Sequence, residues 1–430
     1  MQINLTSKPA RIIVMVIAVA VFVGLCVWVS RAYFATLMAE TLTAQNLHAA
    51  SRLDPGDYAY AEELGRVYQY SVTDAKPQRA IQQFTRAVEL NPYDPLAWLD
   101  LGTAFEFQGK AKKAEACLRR VDELAPRIPR YQWAIANFYL LHNNVDEAFR
   151  HFKMVLEGDP GYGAEIYRTA WNASGDTSQI LAELVPDDAR TNLDYLNFLL
   201  STHRLDQTAP VWARIADSPE KFDPASASPY IDALIHSHKT EEAYRAWSVL
   251  RAKGLIPATD EATTQNLIEN GDFENQPMNI GFDWRIGAVS GIYVGLDDST
   301  FHSPAHSLLI QFPGTLNFYY QNIWQLVPVL PDHSYHLLAF MKAQGITTDS
   351  GPRIEVRDAF KASLLDKFTD QLTGNSPAWM PLSLDFKTGP KTTLLSIIIA
   401  RLPSQMLDNR IAGRVWVDDV SLTPAGIEAP

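Results

Sequence analysis

The chain has 430 residues, of which 47% are apolar and 20% are charged. This composition excludes a disordered chain, and the length predicts two or three folded domains. The formal net charge of −12, with no basic cluster, argues against nucleic acid as a partner. The two cysteines, Cys26 and Cys117, lie far apart in the sequence and exclude a disulfide framework or a thiolate metal site.

An apolar segment at 12–29 begins close to the amino terminus and contains no charged side chain. As a helix it would be roughly 27 Å long, which is close to the thickness of the hydrocarbon core of a bilayer. We therefore predict an uncleaved transmembrane helix over 12–30, preceded by a cytoplasmic segment 1–11. A cleaved signal peptide is the alternative, although only weak small-residue cleavage motifs follow the segment.

The charges on either side of this segment predict its orientation. Lys8, Arg11 and the terminal amino group precede it, whereas Arg31 is the one early charge that follows. Because positively charged flanks stay in the cytoplasm, we expect a cytoplasmic amino terminus. The expected location is the inner (cytoplasmic) membrane, with a single span and the bulk of the chain periplasmic or extracellular.

A period of 34 residues follows the apolar segment. Prolines, alanines and bulky apolar residues each recur at this interval. The three sets are Pro92, Pro126, Pro160; Ala80, Ala114, Ala148; Phe84, Leu118, Phe152. Each copy has apolar residues one helical turn apart and ends at a proline, which cannot continue a helix. The period predicts stacked helix pairs, because one pair alone leaves its apolar face exposed.

The helix ahead of the second copy carries four further marker residues on one face, Trp98, Leu101, Gly102 and Phe105. Together with the period, they resemble the tetratricopeptide repeat. The resemblance implies an α-solenoid, which we assign to 58–253 as five or six helix pairs with the later ones degenerate. It also implies a protein partner, and helix phase places three solvent-facing polar residues where a partner would touch: Asp100, Thr103, Asn137.

The segment 31–53 connects the membrane helix to the repeats. Its apolar spacing predicts a juxtamembrane helix that continues the membrane helix outwards and packs on the first repeat. Pairing with another helix in the membrane is the alternative.

Helical periodicity stops at residue 254, and a polar linker is predicted over 254–265. Between 266 and 424, short alternating runs such as SYHLLAFMKA and RIEVRDA are separated by Gly, Pro, Asn and Asp. They predict an antiparallel β-sandwich of jelly-roll type, followed by a short tail at 425–430. The predicted fold class is therefore multidomain, α then β.

The two ends of the sandwich carry a second resemblance. NLIENGDFE opens it and GRVWVDDVSL closes it, and both resemble carbohydrate-binding modules with a galactose-binding-like jelly roll. The resemblance implies a structural calcium held by Asp272, Glu274 and Asp418, with Asp419 adjacent. The alternative is that Asp272 caps a turn and that one of the paired aspartates faces solvent.

Glycan binding would require aromatic faces for stacking and planar polar groups for hydroxyls. Two groups of residues offer these, an aromatic one and an alternating charged one: Tyr319, Tyr320, Trp324; Arg353, Glu355, Arg357. Alternation places the charged group on one face of a strand. The alternative is that half of the aromatics belong to the core and that Arg353 and Glu355 form a solvated ion pair. Trp284 and Trp416 are predicted to be core residues.

No phosphate loop, nucleophile elbow or zinc-protease motif occurs in the sequence. We therefore predict a non-catalytic, membrane-anchored envelope scaffold. Its repeats would dock a partner protein and its sandwich would bind a glycan or envelope surface, in the setting of extracellular polysaccharide assembly or export. The alternatives are a glycan-active enzyme with the sandwich as accessory module, and a purely protein-binding scaffold.

Overall fold

A computed structural model describes residues 8–72, 75–258 and 266–425. The chain is helical as far as residue 252 and β-stranded from residue 285 onwards, which confirms the predicted fold class. It divides into two compact units, Met1–Pro186 and Asp187–Pro430. Most of the predicted cytoplasmic segment, linker and tail lies outside the described residues, at 1–7, 259–265 and 426–430.

The first unit is built from helices joined by short turns. They are α1 (Lys8–Ala39), α2 (Ala44–Leu53), α3 (Tyr58–Tyr70), α4 (Pro77–Leu90), α5 (Pro95–Glu106), α6 (Ala111–Leu124), α7 (Pro129–Leu141), α8 (Val145–Gly158), α9 (Gly163–Ser174) and α10 (Thr177–Gln179). A π-helical turn, Ile180–Leu184, continues α10. Each helix packs on the next from α1 to α9, as the 34-residue period predicts.

Helix α1 is the single described helix that is long and apolar enough to cross a membrane, with a mean hydropathy of 3.1 over its most apolar window. A signal sequence near the amino terminus meets the same criteria. The length and composition of α1 therefore fit both a transmembrane helix and a cleaved signal peptide.

The predicted juxtamembrane helix 31–53 is interrupted in the structure. Helix α1 ends at Ala39, and α2 begins after Thr43, whose hydroxyl accepts a hydrogen bond from the backbone of Asn46 at 3.3 Å. This capped turn sends α2 back along α1. The cluster of Ala35, Ala50 and Tyr60 then packs both helices on α3, in agreement with the predicted packing on the first repeat.

Small residues allow the helices of each repeat to approach closely. A Cβ atom on Gly65 of α3 would lie 2.6 Å from the ring of Phe84 on α4. At the equivalent Gly102 of α5, a Cβ atom would lie 3.2 Å from the Cβ of Cys117 on α6. The repeating alanines and bulky apolar residues identified in the sequence are all buried.

The second unit begins with two further helix pairs, α11 (Ala189–Ser201), α12 (Ala209–Asp217), α13 (Ser228–His236) and α14 (Thr240–Ala252). Its strands are β1 (Arg285–Ile286), β2 (Tyr293–Asp297), β3 (Ser307–Leu316), β4 (Tyr320–Pro328), β5 (Ser334–Gln344), β6 (Arg353–Asp358), β7 (Asp366–Phe368), β8 (Met380–Lys387), β9 (Leu394–Arg401) and β10 (Ile411–Pro424).

The strands form two antiparallel sheets that enclose one core. Sheet A has the strand order β1-β4-β9-β6-β7, and sheet B has the order β2-β3-β10-β5-β8. The core between them contains Trp284, as predicted, and side chains from both sheets. Gly271 connects the opening segment of the sandwich to its last strand, because its carbonyl accepts a hydrogen bond from the backbone N–H of Val420 on β10 at 2.8 Å. A Cβ atom on Gly271 would lie 2.1 Å from the Val420 carbonyl oxygen.

Helix α14 packs directly on the start of the sandwich. The ring of Trp247 contacts that of Phe282 at a centroid distance of 6.2 Å, and both side chains are buried. Arg251 forms an ion pair with Glu269, and Arg285 forms another with Asp232 of α13 at 2.5 Å. These contacts join the last helix pair and the sandwich into one compact unit.

Candidate functional site

One row of outward side chains crosses all five strands of sheet A. The pairing registers place them directly opposite one another in the order Arg285, Trp324, Ile398, Glu355 and Phe368. Opposite residues in antiparallel pairs point to the same face of a sheet. Their sequence neighbours on β4, β9 and β6 face the core, so this row, the sheet A row, lies on the outer face.

Glu355 is the buried polar centre of the sheet A row. Tyr319, immediately before β4, donates its hydroxyl hydrogen to Oε2 of Glu355, and Nη1 of Arg357 lies 3.5 Å from Oε1. The Oε1 atom has no hydrogen-bond partner among the described residues. Burial raises the pKa of the Glu355 carboxyl and neighbouring Asp366 raises it further, whereas Tyr319 and Arg357 oppose the shift. Burial and the Glu355 contact also raise the pKa of Tyr319.

Trp324 lies two strands from Glu355 and is half-buried. Two strand spacings correspond to about 10 Å across a sheet. The guanidinium of Arg285 lies 5.0 Å from the centre of the Trp324 ring and covers part of it. Because Arg285 is also paired with Asp232, the tryptophan is held in one orientation by a side chain that is itself fixed.

Arg353 lies on the same face, one position from the sheet A row. It is opposite Ala400 on β9, and its guanidinium donates to Gln371 and, at 3.4 Å, to the hydroxyl of Ser350. The structure thus brings together four of the five residues predicted for glycan binding, Tyr319, Trp324, Arg353 and Glu355. The alternative ion pair between Arg353 and Glu355 does not form, since Glu355 is paired with Arg357.

Tyr320 is the exception, and the prediction that its ring serves a sugar does not fit the structure. Its side chain is 1% exposed and packs in the core against Phe312, with a ring distance of 5.6 Å. The strand pairing shifts register between Tyr320 and Ile323, which is a β-bulge. The bulge reverses the alternation of faces, so Tyr320 points inwards although Trp324, four residues later, points outwards.

This face can stack an aromatic side chain on a sugar ring and exchange hydrogen bonds with hydroxyl groups. Carboxylates accept from hydroxyls and guanidinium groups donate to them. The carboxylate of Glu355 is buried, and that of neighbouring Asp366 on β7 is exposed. They do not form the separated pair across a cleft that glycoside hydrolysis requires.

The residues predicted to hold calcium lie at the opening and closing segments of the sandwich. In the structure, their carboxylates accept hydrogen bonds from N–H groups. Asp418 is buried, and its carboxylate accepts backbone N–H groups of His302, Ser303 and Asp419 at 2.7, 3.1 and 2.8 Å. Burial raises the pKa of Asp418, although these bonds oppose the shift. Asp419 contacts the ring of His302 at 2.5 Å.

Glu274 holds the other end of the same loop. It accepts the backbone N–H of His306 at 3.0 Å and contacts the His306 ring at 3.3 Å, while Asp272 accepts from the backbone of Glu274 at 3.4 Å. No group of three or more potential ligands suited to a metal occurs among the described residues. Because these carboxylates face N–H groups rather than one another, the donor set does not fit calcium.

An aromatic cluster that the sequence did not reveal lies beside this loop. The ring of His302 stacks on Phe340 of β5 at a centroid distance of 3.8 Å, and it contacts Trp379 edge-on at 5.7 Å. Trp416 is buried as predicted, and its indole N–H donates to Asp297 at 2.6 Å. Only the strand pairing brings these residues together, since Phe340 and Trp379 belong to separate sequence runs.

The three residues predicted to touch a protein partner lie on α5 and α7. Asp100 accepts a hydrogen bond from Nε of Arg66 at 2.8 Å and is largely covered. Thr103 and Asn137 occupy equivalent repeat positions, and each donates to the carbonyl four residues earlier on its own helix. Asn137 is exposed, so of the three it presents the most accessible surface.

Solved structures similar to the chain include MamA, with 16% identity, a TM-score of 0.29, and coverage of 37% of this chain and 83% of MamA. YrrB, described as a TPR protein with an unusual peptide-binding site, has 17% identity, a TM-score of 0.27, and coverage of 44% and 84%. TmCBM61 in complex with β-1,4-galactotriose has 17% identity, a TM-score of 0.27, and coverage of 37% and 99%.

A search of curated proteins finds no match to the chain. The family model of the tetratricopeptide repeat matches residues 72–138. This segment overlaps the helix pairs that carry the 34-residue period. The helix pairs within 72–138 therefore match tetratricopeptide repeats, as predicted for this part of the chain.

Proposed function

We propose that this protein is a non-catalytic scaffold of the cell envelope, anchored by α1, in which the repeats hold a protein partner and the outer face of sheet A binds a glycan. The setting that we propose is the assembly or export of extracellular polysaccharide. The observation that carries the proposal is the sheet A row, in which Trp324 and Glu355 share one outer face with Tyr319 and Arg353 beside them.

The chemistry of this face supports a sugar ligand. A half-buried tryptophan held by an arginine gives a rigid apolar surface, and the partly exposed Arg353 supplies a polar group on the same face. Binding sites commonly combine apolar rings with a few fixed polar groups in this way. The tetratricopeptide repeats supply the second half of the scaffold, since stacked helix pairs present an extended surface to proteins.

A glycan array provides the test. The full chain, purified in a sugar-free detergent such as lauryldimethylamine oxide, would be labelled and applied to an array of bacterial and plant polysaccharides. We expect binding to a restricted group of glycans that persists in the presence of a chelator. A folded sample that binds no glycan would contradict the proposal and favour a purely protein-binding scaffold.

A further inference from the structure

Large apolar side chains are exposed at the turns that end the first helix of each of the first four helix pairs. Their exposed fractions are 60% for Leu42, 58% for Tyr70, 99% for Val72, 71% for Phe107 and 72% for Leu141. These five residues, the turn row, lie in or beside the turns α1–α2, α3–α4, α5–α6 and α7–α8. Four consecutive helix pairs therefore expose an apolar residue at the same kind of position.

These turns lie on one edge of the unit. Consecutive helices joined by short turns run antiparallel, so alternate turns share an edge. Direct contacts agree with this: the rings of Tyr70 and Phe107 meet edge to face at 6.4 Å, and Glu106 contacts the ring of His142 at 3.0 Å. The opposite edge contains Arg31, which donates to the carbonyl groups of residues 52 and 53 at the end of α2.

The positions of the turn row recur with the 34-residue period of the repeats. Phe107 and Leu141 are 34 residues apart, and Tyr70 corresponds to Phe107 once the three extra residues of the first turn are counted. The next equivalent position is Gly175, which ends α9 with a φ of 65° and has no side chain to expose. Contiguous exposed apolar patches often mark interaction sites, and Tyr70 and Phe107 of this row are in direct ring contact.

The charges beside the turn row indicate the partner. Lys110, Lys112 and Lys113 follow Phe107 closely in the sequence and are exposed. Lys110 donates to Gln108 at 2.8 Å, and the ammonium groups of Lys110 and Lys113 lie 6.0 and 5.5 Å from the centre of the Phe105 ring. Near Leu141, Glu147 pairs with Arg150 at 2.8 Å, and Asp146 accepts a hydrogen bond from the amide of Gln179 at 3.3 Å. The charges that closely follow Phe107 are therefore positive, although the chain as a whole is acidic.

We propose that the turn row is the docking surface for a segment of a partner protein whose apolar side chains are bordered by aspartate or glutamate. The inference rests on the protein-docking half of the proposed function. It places the partner at the turn edge, away from Thr103 and Asn137 on the helix faces. With α1 in a bilayer up to residue 29, this edge faces away from the membrane.

The test is an array of synthetic peptides with one leucine pattern, in helical and extended spacing, and with borders of glutamate, glutamine or lysine. The full chain in detergent is applied as wild type and as three variants. Phe107→Ala/Leu141→Ala shortens the turn row, Tyr93→Ala removes a residue of similar exposure, 75%, from the opposite edge, and Asn137→Ala changes the helix face. Thermal unfolding confirms that each variant is folded.

We expect glutamate-bordered peptides to be retained about tenfold more strongly than lysine-bordered ones, because three exposed charge pairs contribute that much together. The Phe107→Ala/Leu141→Ala variant should lose about tenfold in retention, since two apolar contacts are removed. Tyr93→Ala and Asn137→Ala should behave as wild type.

Three results would overturn the proposal: no retention of any peptide, retention indifferent to the bordering charge, or retention unchanged in the double variant. Loss of binding in Asn137→Ala alone would leave the docking function standing and show that the turn row is not its surface. Sedimentation of the wild type as a dimer that the double variant abolishes would show that the row binds a second copy of the chain instead.

Discussion

Tyr319 donates its hydroxyl hydrogen to Glu355, whose side chain has no exposed surface although it lies on the outer face of a sheet. A buried carboxylate is costly unless its charge is balanced by hydrogen bonds or an ion pair. Tyr319 and Arg357 provide that balance on one side, and Oε1 remains without a hydrogen bond. The tyrosine therefore both covers the carboxylate and stabilises it.

The coupling between these two residues can be measured by a double-mutant cycle. Tyr319→Phe removes the donor and should lower the free energy of unfolding by about 1–3 kcal/mol, the typical penalty for an unsatisfied buried group. In a Glu355→Gln background the same change should cost clearly less, because the buried charge is gone. Equal costs in both backgrounds, measured by denaturant unfolding, would show that the contact does not stabilise Glu355.

A pH effect is expected from His151 on α8. This side chain is buried, and burial followed by Arg150 lowers its pKa to about 4. Arg150 can only donate, so Nε2 of His151 accepts at 2.8 Å and Nδ1 donates to Gln132 at 2.5 Å. A protonated ring would lose the first of these bonds.

Since the unfolded histidine binds a proton near pH 6.5 and the folded one near pH 4, its contribution to stability is complete above pH 6.5 and is lost as the pH falls towards 4. The contribution of Glu62 to stability changes with pH in the opposite direction, because burial raises the pKa of Glu62 to about 7. The measurement is therefore the difference in melting temperature between wild type and His151→Gln as a function of pH. This difference in melting temperature should become smaller as the pH is lowered. A difference that stays constant would contradict the conclusion that His151 is buried in its neutral form.

Much of the fold follows from two sequence periods. The 34-residue spacing predicts the helix pairs, because proline stops and small residues at Ala80 and its equivalents leave few other ways to pack. Alternating runs predict the strands of the sandwich. The break between α1 and α2 was not predicted, because the cap at Thr43 is a single weak turn signal within a helical pattern.

The candidate site was only partly predictable, because its residues meet through strand pairing. The bulge in β4 reverses the face of Tyr320, and alternation alone assigns it wrongly. Asp366 is adjacent to Glu355 only because β7 pairs with β6. Likewise, His302 and His306 meet Asp419 and Glu274 through a loop whose path is not encoded in any local pattern.

Packing between α14 and the sandwich should contribute strongly to the stability of the second unit. Trp247 is buried against Phe282 and lies so close to Gly281 that a Cβ atom there would be 2.4 Å from its ring. Trp247→Ala should lower the free energy of unfolding by about 3–5 kcal/mol, as for other large core residues. The half-buried Trp379→Ala serves as a matched control in scanning calorimetry and should cost less. Equal losses would mean that α14 is not integral to the unit.

At Asp418, removing metal ions and removing the side chain should have different effects on the melting temperature. Because its carboxylate accepts backbone N–H groups, EDTA should leave the melting temperature unchanged. Asp418→Ala should lower the melting temperature, since each orphaned buried N–H costs about 1–3 kcal/mol. A fall in melting temperature on adding EDTA, reversed by calcium, would show that a calcium ion binds and would contradict our interpretation of these contacts.

We propose that a glycan binds to the outer face of sheet A. The most direct test of this proposal is the glycan array applied in parallel to wild type, Trp324→Ala and Trp379→Ala, each shown to be folded by its thermal transition. We predict that Trp324→Ala loses the wild-type signal and that Trp379→Ala, which changes a tryptophan outside sheet A, retains it. A full signal in Trp324→Ala, or an equal loss in both variants, would contradict the assignment of the site to this face.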